Sequence, residues 1–322
     1  MSSGWRLDSG KTENDSKSNG FSGITKNNSD NTANFSISEP KYRLNELVLP
    51  QKIIDEVQTI IKSEKSWKKV FDEWKLSEVI KDKNSLIVNL YGKSGTGKTM
   101  TAHAIANELN RKIICVNYSE IESKYVGETS KNLAALFKYA YQKEVIIFFD
   151  EADALLSKRV TDMSNATDVS VNQTRSVLLT LMNDYKGMII FASNFISNYD
   201  TAFIRRIQYH IKFELPDEEL RKKLWKKYIP ENMPNDADIN YLSKNYPGLT
   251  GSDIANIVLK AALFAAGKEE NIVHQEYFEN EIKNILNVKK DNNGFKITSV
   301  TQREVSEDYA LQQISNKKGD KT

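Results

Sequence analysis

The sequence predicts an α/β domain built on a five-stranded parallel sheet, followed by a small all-helical lid domain and preceded by a disordered N-terminal arm. Three observations carry this prediction. From Leu86 onward short apolar runs alternate with helical spacings, the pattern of a parallel sheet covered on both faces. The first of those runs leads through a glycine-rich loop into a helical stretch. After Pro216 the apolar period is helical throughout.

Taken in order, residues 1–41 are dominated by Ser, Asn, Gly, Asp and Lys, with isolated apolar residues at Trp5, Leu7, Phe21, Ile24, Phe35 and Ile37. Such a segment buries too little surface to offset chain entropy and is expected to be disordered. Trp5 and Leu7 are its candidates for a docking motif. Residues 42–215 form the expected large domain. In it, Ile53, Ile54, Val57, Ile60 and Ile61 mark a helix, and a second amphipathic stretch surrounds Trp67, Val70, Phe71 and Trp74. Strands are expected at Leu86 to Tyr91, Ile113 to Asn117, Val145 to Phe149, Met188 to Ala192 and Ile207 to Leu215. Pro216 is expected to open a helix with Asp217, Glu218 and Glu219 in its first turn. The lid is expected over 216–286. A tail over 287–322 is expected to begin with a polar break at Lys289 to Gly294 and to end in a short helix and a charged segment.

Composition narrows the function classes. Basic residues number 45 and acidic residues 43, a net charge of +2, which is not the clustered basic excess of a nucleic-acid binder. The single cysteine, Cys115, cannot form an internal disulfide, which suits a reducing compartment, and its apolar neighbours predict an inert core thiol. No apolar run approaches the ~20 residues of a membrane span, and the first thirty residues lack the apolar core of a signal peptide. The expected setting is cytoplasmic.

The strongest chemical signal is Gly92-Lys93-Ser94-Gly95-Thr96-Gly97-Lys98-Thr99, between a strand and the helical stretch beginning at Met100. This is the P-loop pattern of a P-loop NTPase in its strand–loop–helix context. Glycines let the backbone curl so that N–H groups point at phosphate oxygens, and the helix N-terminus adds partial positive charge. Lys98 is expected on the β- and γ-phosphates of ATP, and the Thr99 hydroxyl on Mg²⁺. The second signal is an apolar strand ending in Asp150 and Glu151. Asp150 is expected to orient the Mg²⁺ and its waters, and Glu151 to polarise the attacking water as general base.

With these motifs, residues 42–286 resemble the AAA family of AAA+ ATPases, in a single-ring form similar to katanin and spastin or to small stand-alone bacterial members. The resemblance implies further roles. Asn194, ending Phe191-Ala192-Ser193-Asn194, would help position the lytic water. Arg205 and Arg206 would reach the neighbouring subunit's ATP; Ile207 stands where an aromatic is common. Pro247 to Ile254 resembles the family's lid region, bringing Gly251 and Ser252 to the nucleotide. No arginine lies between Asn245 and Lys260, unlike the DNA-acting branches. Lys124, Tyr125 and Val126 resemble a pore loop that grips polypeptide, whereas residues 162–168 lack the aromatic of a second such loop. The implied whole is a homo-hexamer that threads a protein substrate, engaged directly or through an adaptor, with no nucleic acid and no membrane span. A remodeller of HORMA-domain signalling proteins and a disassembler of the katanin-like or membrane-complex kind are specific roles within that class. A nucleic-acid motor is the alternative outside it, and a nucleotide-switched binding module with negligible turnover is a third.

Overall fold

The computed structural model describes residues 35–80, 85–117, 128–158, 166–195 and 199–294. Five strands pair in parallel: β2 (Leu86–Gly92), β3 (Ile113–Asn117), β4 (Ile146–Asp150), β5 (Met188–Ser193) and β6 (Tyr209–Phe213). A two-residue strand, β1 (Ile37–Ser38), adds an antiparallel edge, giving the order β1-β3-β4-β5-β2-β6. The sheet thus has one strand more than expected, and that strand lies in the segment expected to be disordered. The reason is local. Phe35 and Ile37 are two residues apart, so both face the same way and pack on the sheet's core. Phe35 meets Tyr139 at 6.3 Å between ring centroids, and Ser38 Oγ donates to the Ile113 carbonyl at 3.2 Å. Residues 1–34 lie outside the described residues.

Strand alternation sorts side chains onto two faces. Val88, Leu90, Phe148, Ile190 and Ile211 pack under α1 (Gln51–Lys68) and α2 (Lys98–Glu108). Ile87, Ile147, Phe149, Ile189 and Phe191 pack under α3 (Glu128–Lys143) and α5 (Ala166–Asp184). Each such side chain contributes roughly 1.5–3 kcal/mol on full burial. Two polar residues are buried in the strands, Asn89 in the middle of β2 and Ser193 at the end of β5. Between these elements sit two four-residue helices, α4 (Asp153–Leu156) and α6 (Thr201–Ile204). The last strand is shorter than its apolar alternation predicts, because Ile207 is buried in the turn after α6 rather than in the strand.

Four further helices pack as a separate apolar cluster: α7 (Glu218–Tyr228), α8 (Ile239–Asn245), α9 (Gly251–Gly267) and α10 (Gln275–Gly294). Its centre is Trp225, edge-on to Phe278 at 6.1 Å, with Leu242, Ile254, Ile257 and Ile282 around it. Asp217, not Pro216, sets the start of α7: its carboxylate accepts from Leu220 N at 2.8 Å, with Pro216 just outside the helix. Acidic Glu218 and Glu219 then complement the helix dipole at one end, and Lys226 and Lys227 at the other. Thr250 and Asp253 form a reciprocal capping box for α9.

Two expectations are corrected here. The polar break at Lys289 to Gly294 is helical, as the final turns of α10. Lys289 donates to the Gly248 carbonyl at 3.3 Å and also hydrogen-bonds Asp253, so a residue that reads as linker ties α10 to the cap of α9. The second is Cys115, which is exposed rather than a core thiol. β1 covers only Ile113 and Ile114 of β3, leaving Cys115 beyond its end, with its sulfur 3.6 Å from His103 Nε2. Residues 295–322 lie outside the described residues. Among the described residues no helix is long and apolar enough to cross a membrane.

Candidate active site

The carboxyl ends of β2, β4 and β5 open onto a cavity of about 320 Å³ that α7 and the start of α9 close from the other side. Ligands of open α/β sheets bind at this edge. Ser94, Gly95, Thr96, Gly97, Lys98, Thr99 and Met100 line the cavity. So do Asp150, Glu151, Asn194, Gly251 and Ser252. Gly92 and Lys93 do not line it; their carbonyls instead accept from Lys98 Nζ at 2.7 and 3.0 Å.

Two glycines are required by the geometry. A Cβ on Gly92 would stand 2.0 Å from the Phe213 carbonyl oxygen, so only glycine lets β6 approach the loop. Gly95 has φ +77°, and its Cβ would meet Thr250 Oγ1 at 2.7 Å and Ser252 Cβ at 3.0 Å. Through this close approach Ser252 N donates to the Gly95 carbonyl at 3.3 Å, joining phosphate loop and lid.

Of the charged groups, Lys98 is buried, Asp150 is half-buried and Glu151 is exposed. Lys98 is buried, which lowers its pKa, and Asp150 and Asp153 partly offset that by favouring the ammonium. Its Nζ also lies 3.3 Å from Asn194 Oδ1. Thr99 Oγ1 donates to Asp150 Oδ2 at 2.9 Å. Glu151 takes φ +50°, a left-handed conformation unusual for a residue with a side chain, at the point where β4 leaves the sheet. The hydroxyl and carboxylate of Thr99 and Asp150 are hard oxygen donors, and one carboxylate beside a phosphate cradle suits Mg²⁺. The size of the cavity, the inward loop and this donor set fit a magnesium nucleotide.

Sequence reasoning missed three parts of the site. Asp153 accepts from the backbone N–H groups of Asn194, at 3.0 and 3.1 Å, and of Phe195 at 3.2 Å, fixing the strand end that presents Asn194. Its place three residues after Asp150 was the available signal. Leu47, Val48, Leu49, Leu224 and Tyr228 form an apolar end to the cavity. They come from two distant segments, so no local pattern announces them. Lys227 hydrogen-bonds the Glu46 carbonyl across that end.

Arg205 and Arg206 are not brought to the cavity of their own chain. Both line a separate pocket with Ser85, Met182 and Gln208. Arg205 is exposed and makes no side-chain hydrogen bond or ion pair among the described residues. Arg206 is held in place: Nε donates to Asn183 Oδ1 at 2.8 Å and Nη1 to the Ala202 carbonyl at 2.9 Å. Lys124, Tyr125 and Val126 lie outside the described residues.

Comparison with known proteins agrees with this geometry. Residues 88–215 match the model of the ATPase family associated with various cellular activities (AAA). The chain is 33% identical over 215 residues to a proteasome-activating nucleotidase of Methanopyrus kandleri, covering 64% of this chain and 49% of that protein. It is 38% identical over 182 residues to cell division protein C of Sulfolobus acidocaldarius, covering 53% and 48%. It is 32% identical over 232 residues to ATPase family gene 2 protein of Schizosaccharomyces pombe, covering 70% and 27%. The chain spans about half the length of the first and second of these relatives and about a quarter of the third. Together, the match over β2 to β6 and the convergence of Lys98, Thr99, Asp150 and Glu151 identify residues 88–215 as an AAA-family ATPase domain.

Proposed function

We propose that the chain hydrolyses ATP to ADP and phosphate within a ring of its own copies and uses the cycle to remodel protein. The observation that carries this is the meeting of Lys98, Thr99, Asp150, Glu151 and Asn194 at one cavity under the lid, while Arg205 stands exposed away from it. Within one chain the cavity holds Lys98 but, among the described residues, no arginine, and in this reading the exposed Arg205 supplies a second cation for the transition-state charge to a neighbour's site. Thr99 and Asp150 would hold magnesium, which would supply charge neutralisation at the phosphates. Lys98 binds the terminal phosphates, Glu151 takes the proton of the attacking water, and Asn194 orients that water. The Ser252–Gly95 contact carries changes at the phosphates into the lid.

Hexameric assembly and threading by Tyr125 complete this reading, on the resemblance of Lys124-Tyr125-Val126 to a pore loop. The proteasome-activating nucleotidases act, by name, on a protein machine, which supports protein rather than nucleic acid as the target. The test is a set of variants in the full chain. Glu151→Gln retains ATP binding and loses turnover by at least about a hundredfold; Lys98→Ala loses binding. Glu151→Gln hydrolysing at the normal rate would remove it from the role of base. A protein retained by Glu151→Gln with ATP, and released when Tyr125→Ala is added, supports threading. Retention of nucleic acid in its place would favour the motor reading.

A further inference from the structure

We propose that Tyr199 is a positioning residue whose hydroxyl ties the nucleotide-facing strand ends to the turn carrying Arg205. This rests on the reading above, in which Arg205 serves a neighbouring site. Tyr199 is only 2% exposed and sits where three segments of the site meet. Its backbone bridges Ser157, and the next N–H, of Asp200, donates to the Leu156 carbonyl at 2.9 Å. Both contacts lie at the end of α4, five and six residues after Glu151.

The hydroxyl reaches the other two segments. It donates to Asn89 Oδ1 at 3.2 Å and is hydrogen-bonded to Ser193 Oγ. A tyrosine hydroxyl has one proton, so Tyr199 shares it between the Asn89 and Ser193 oxygens. Ser193 immediately precedes Asn194, whose side chain touches Lys98. Asn89 is three residues before Gly92, whose carbonyl also holds Lys98. The Asn89 amide continues the chain to His210 Nδ1 at 3.5 Å, its register partner on β6. From Tyr199 the backbone passes through the Asp200 cap, which accepts from Ala202 N at 2.9 Å, and α6 to Arg205.

A phenylalanine would fill this space equally well. Tyr199 belongs to the buried apolar cluster on this face of the sheet, where a hydroxyl carries a desolvation cost that its hydrogen bonds offset. Those bonds make β5, β2 and the α6 turn one body, so a displacement of Asn194 or the phosphate loop moves Arg205.

The experiment uses mixed assemblies of full chains. Lys98→Ala subunits bind no nucleotide but offer Arg205; Arg205→Ala subunits bind nucleotide but offer no arginine. Their mixture hydrolyses ATP although neither does alone. Adding Tyr199→Phe to the Lys98→Ala subunit, which has no working site of its own, lowers the rate about tenfold or more with KM for ATP unchanged, because the arginine is misplaced for the neighbour. Ser193→Ala in the same subunit, which removes the other end of the bond, gives the same loss, with assembly size unchanged. An undiminished rate with Tyr199→Phe in the arginine-supplying subunit overturns the proposal, whatever the change does in the other subunit. An inactive parent mixture, with Tyr199 intact, overturns the trans-acting role of Arg205 and this inference with it.

Discussion

Arg205 and Arg206 are adjacent in sequence and opposite in circumstance. Arg206 is fastened to Asn183 and Ala202 of its own chain, whereas Arg205 projects from the same turn into solvent. Arg205→Ala should therefore leave the thermal midpoint unchanged and lower ATP turnover by about 10³-fold, the low end for arginine fingers. Arg206→Ala should cost about 1–2 kcal/mol of stability, as expected for losing half-buried hydrogen bonds to a charged group. Equal effects of the two on stability, read from denaturant midpoints, would refute this division. The histidines make a second residue-scale prediction. Burial lowers the pKa of His210, with the Ile204 carbonyl opposing it; burial and then Lys41 lower that of His103, with Asp150 opposing. Unfolded histidine takes up its proton near pH 6.5, and these two take theirs up lower, so the unfolded state binds more protons as pH falls and stability is lost below about 6.5. His274 is raised chiefly by its hydrogen bond to Asp236 and acts in the opposite sense: its contribution is present below about 6.5 and is lost as pH rises through its folded value. Its side chain is 42% exposed, so buried His103 and half-buried His210 dominate. Denaturant midpoints should fall from pH 7.5 to 5.5, and His210→Asn should flatten that slope; an unchanged slope would acquit His210.

At the scale of elements, the lid meets the phosphate loop where Gly95 lies against Thr250 and Ser252. Gly95→Ala places a methyl group where Thr250 Oγ1 stands and strains a backbone at φ +77°, so it should weaken ATP binding about tenfold or more while leaving the lid's own core folded. Isothermal titration measures the first, and near-ultraviolet circular dichroism from Trp225 the second; undiminished affinity would mean that the lid is free to retreat. The same elements show what a sequence discloses. β2 to β6 and the phosphate loop follow from period-two apolar runs and from glycines whose backbone job is fixed by one ligand chemistry. β1 was hidden because two residues are too short for a period to register, and its stability comes from Phe35 and Ile37 reaching a distant core. The last turns of α10 were hidden because Lys289 to Gly294 is polar, and its support, Asp253, is 36 residues away. At the site, the motif residues were readable and Asp153 had only its spacing from Asp150 to mark it, but Tyr199 and the apolar end at Leu47 to Leu49 act through tertiary contacts that leave no local signature.

At the scale of the molecule, the separation of Arg205 from its own cavity has a kinetic consequence. A site completed only by a neighbour turns over in proportion to assembly, so specific ATPase activity should rise with protein concentration and level off when assembly is complete. The Lys98-to-phosphate and Mg²⁺ groups are all within one chain, so ATP affinity at low concentration should stay within about threefold of its assembled value. The two quantities should thus separate on dilution: binding persists and turnover falls. Arg205→Ala should abolish the concentration dependence by holding turnover at the dilute level throughout, even where sedimentation shows that the assembly has formed. Turnover per chain that is constant down to concentrations where sedimentation finds only monomers would show that the cavity is complete in a single chain. In that case Arg205 would have no catalytic part, and the cation stabilising the transition state would have to be Lys98 alone.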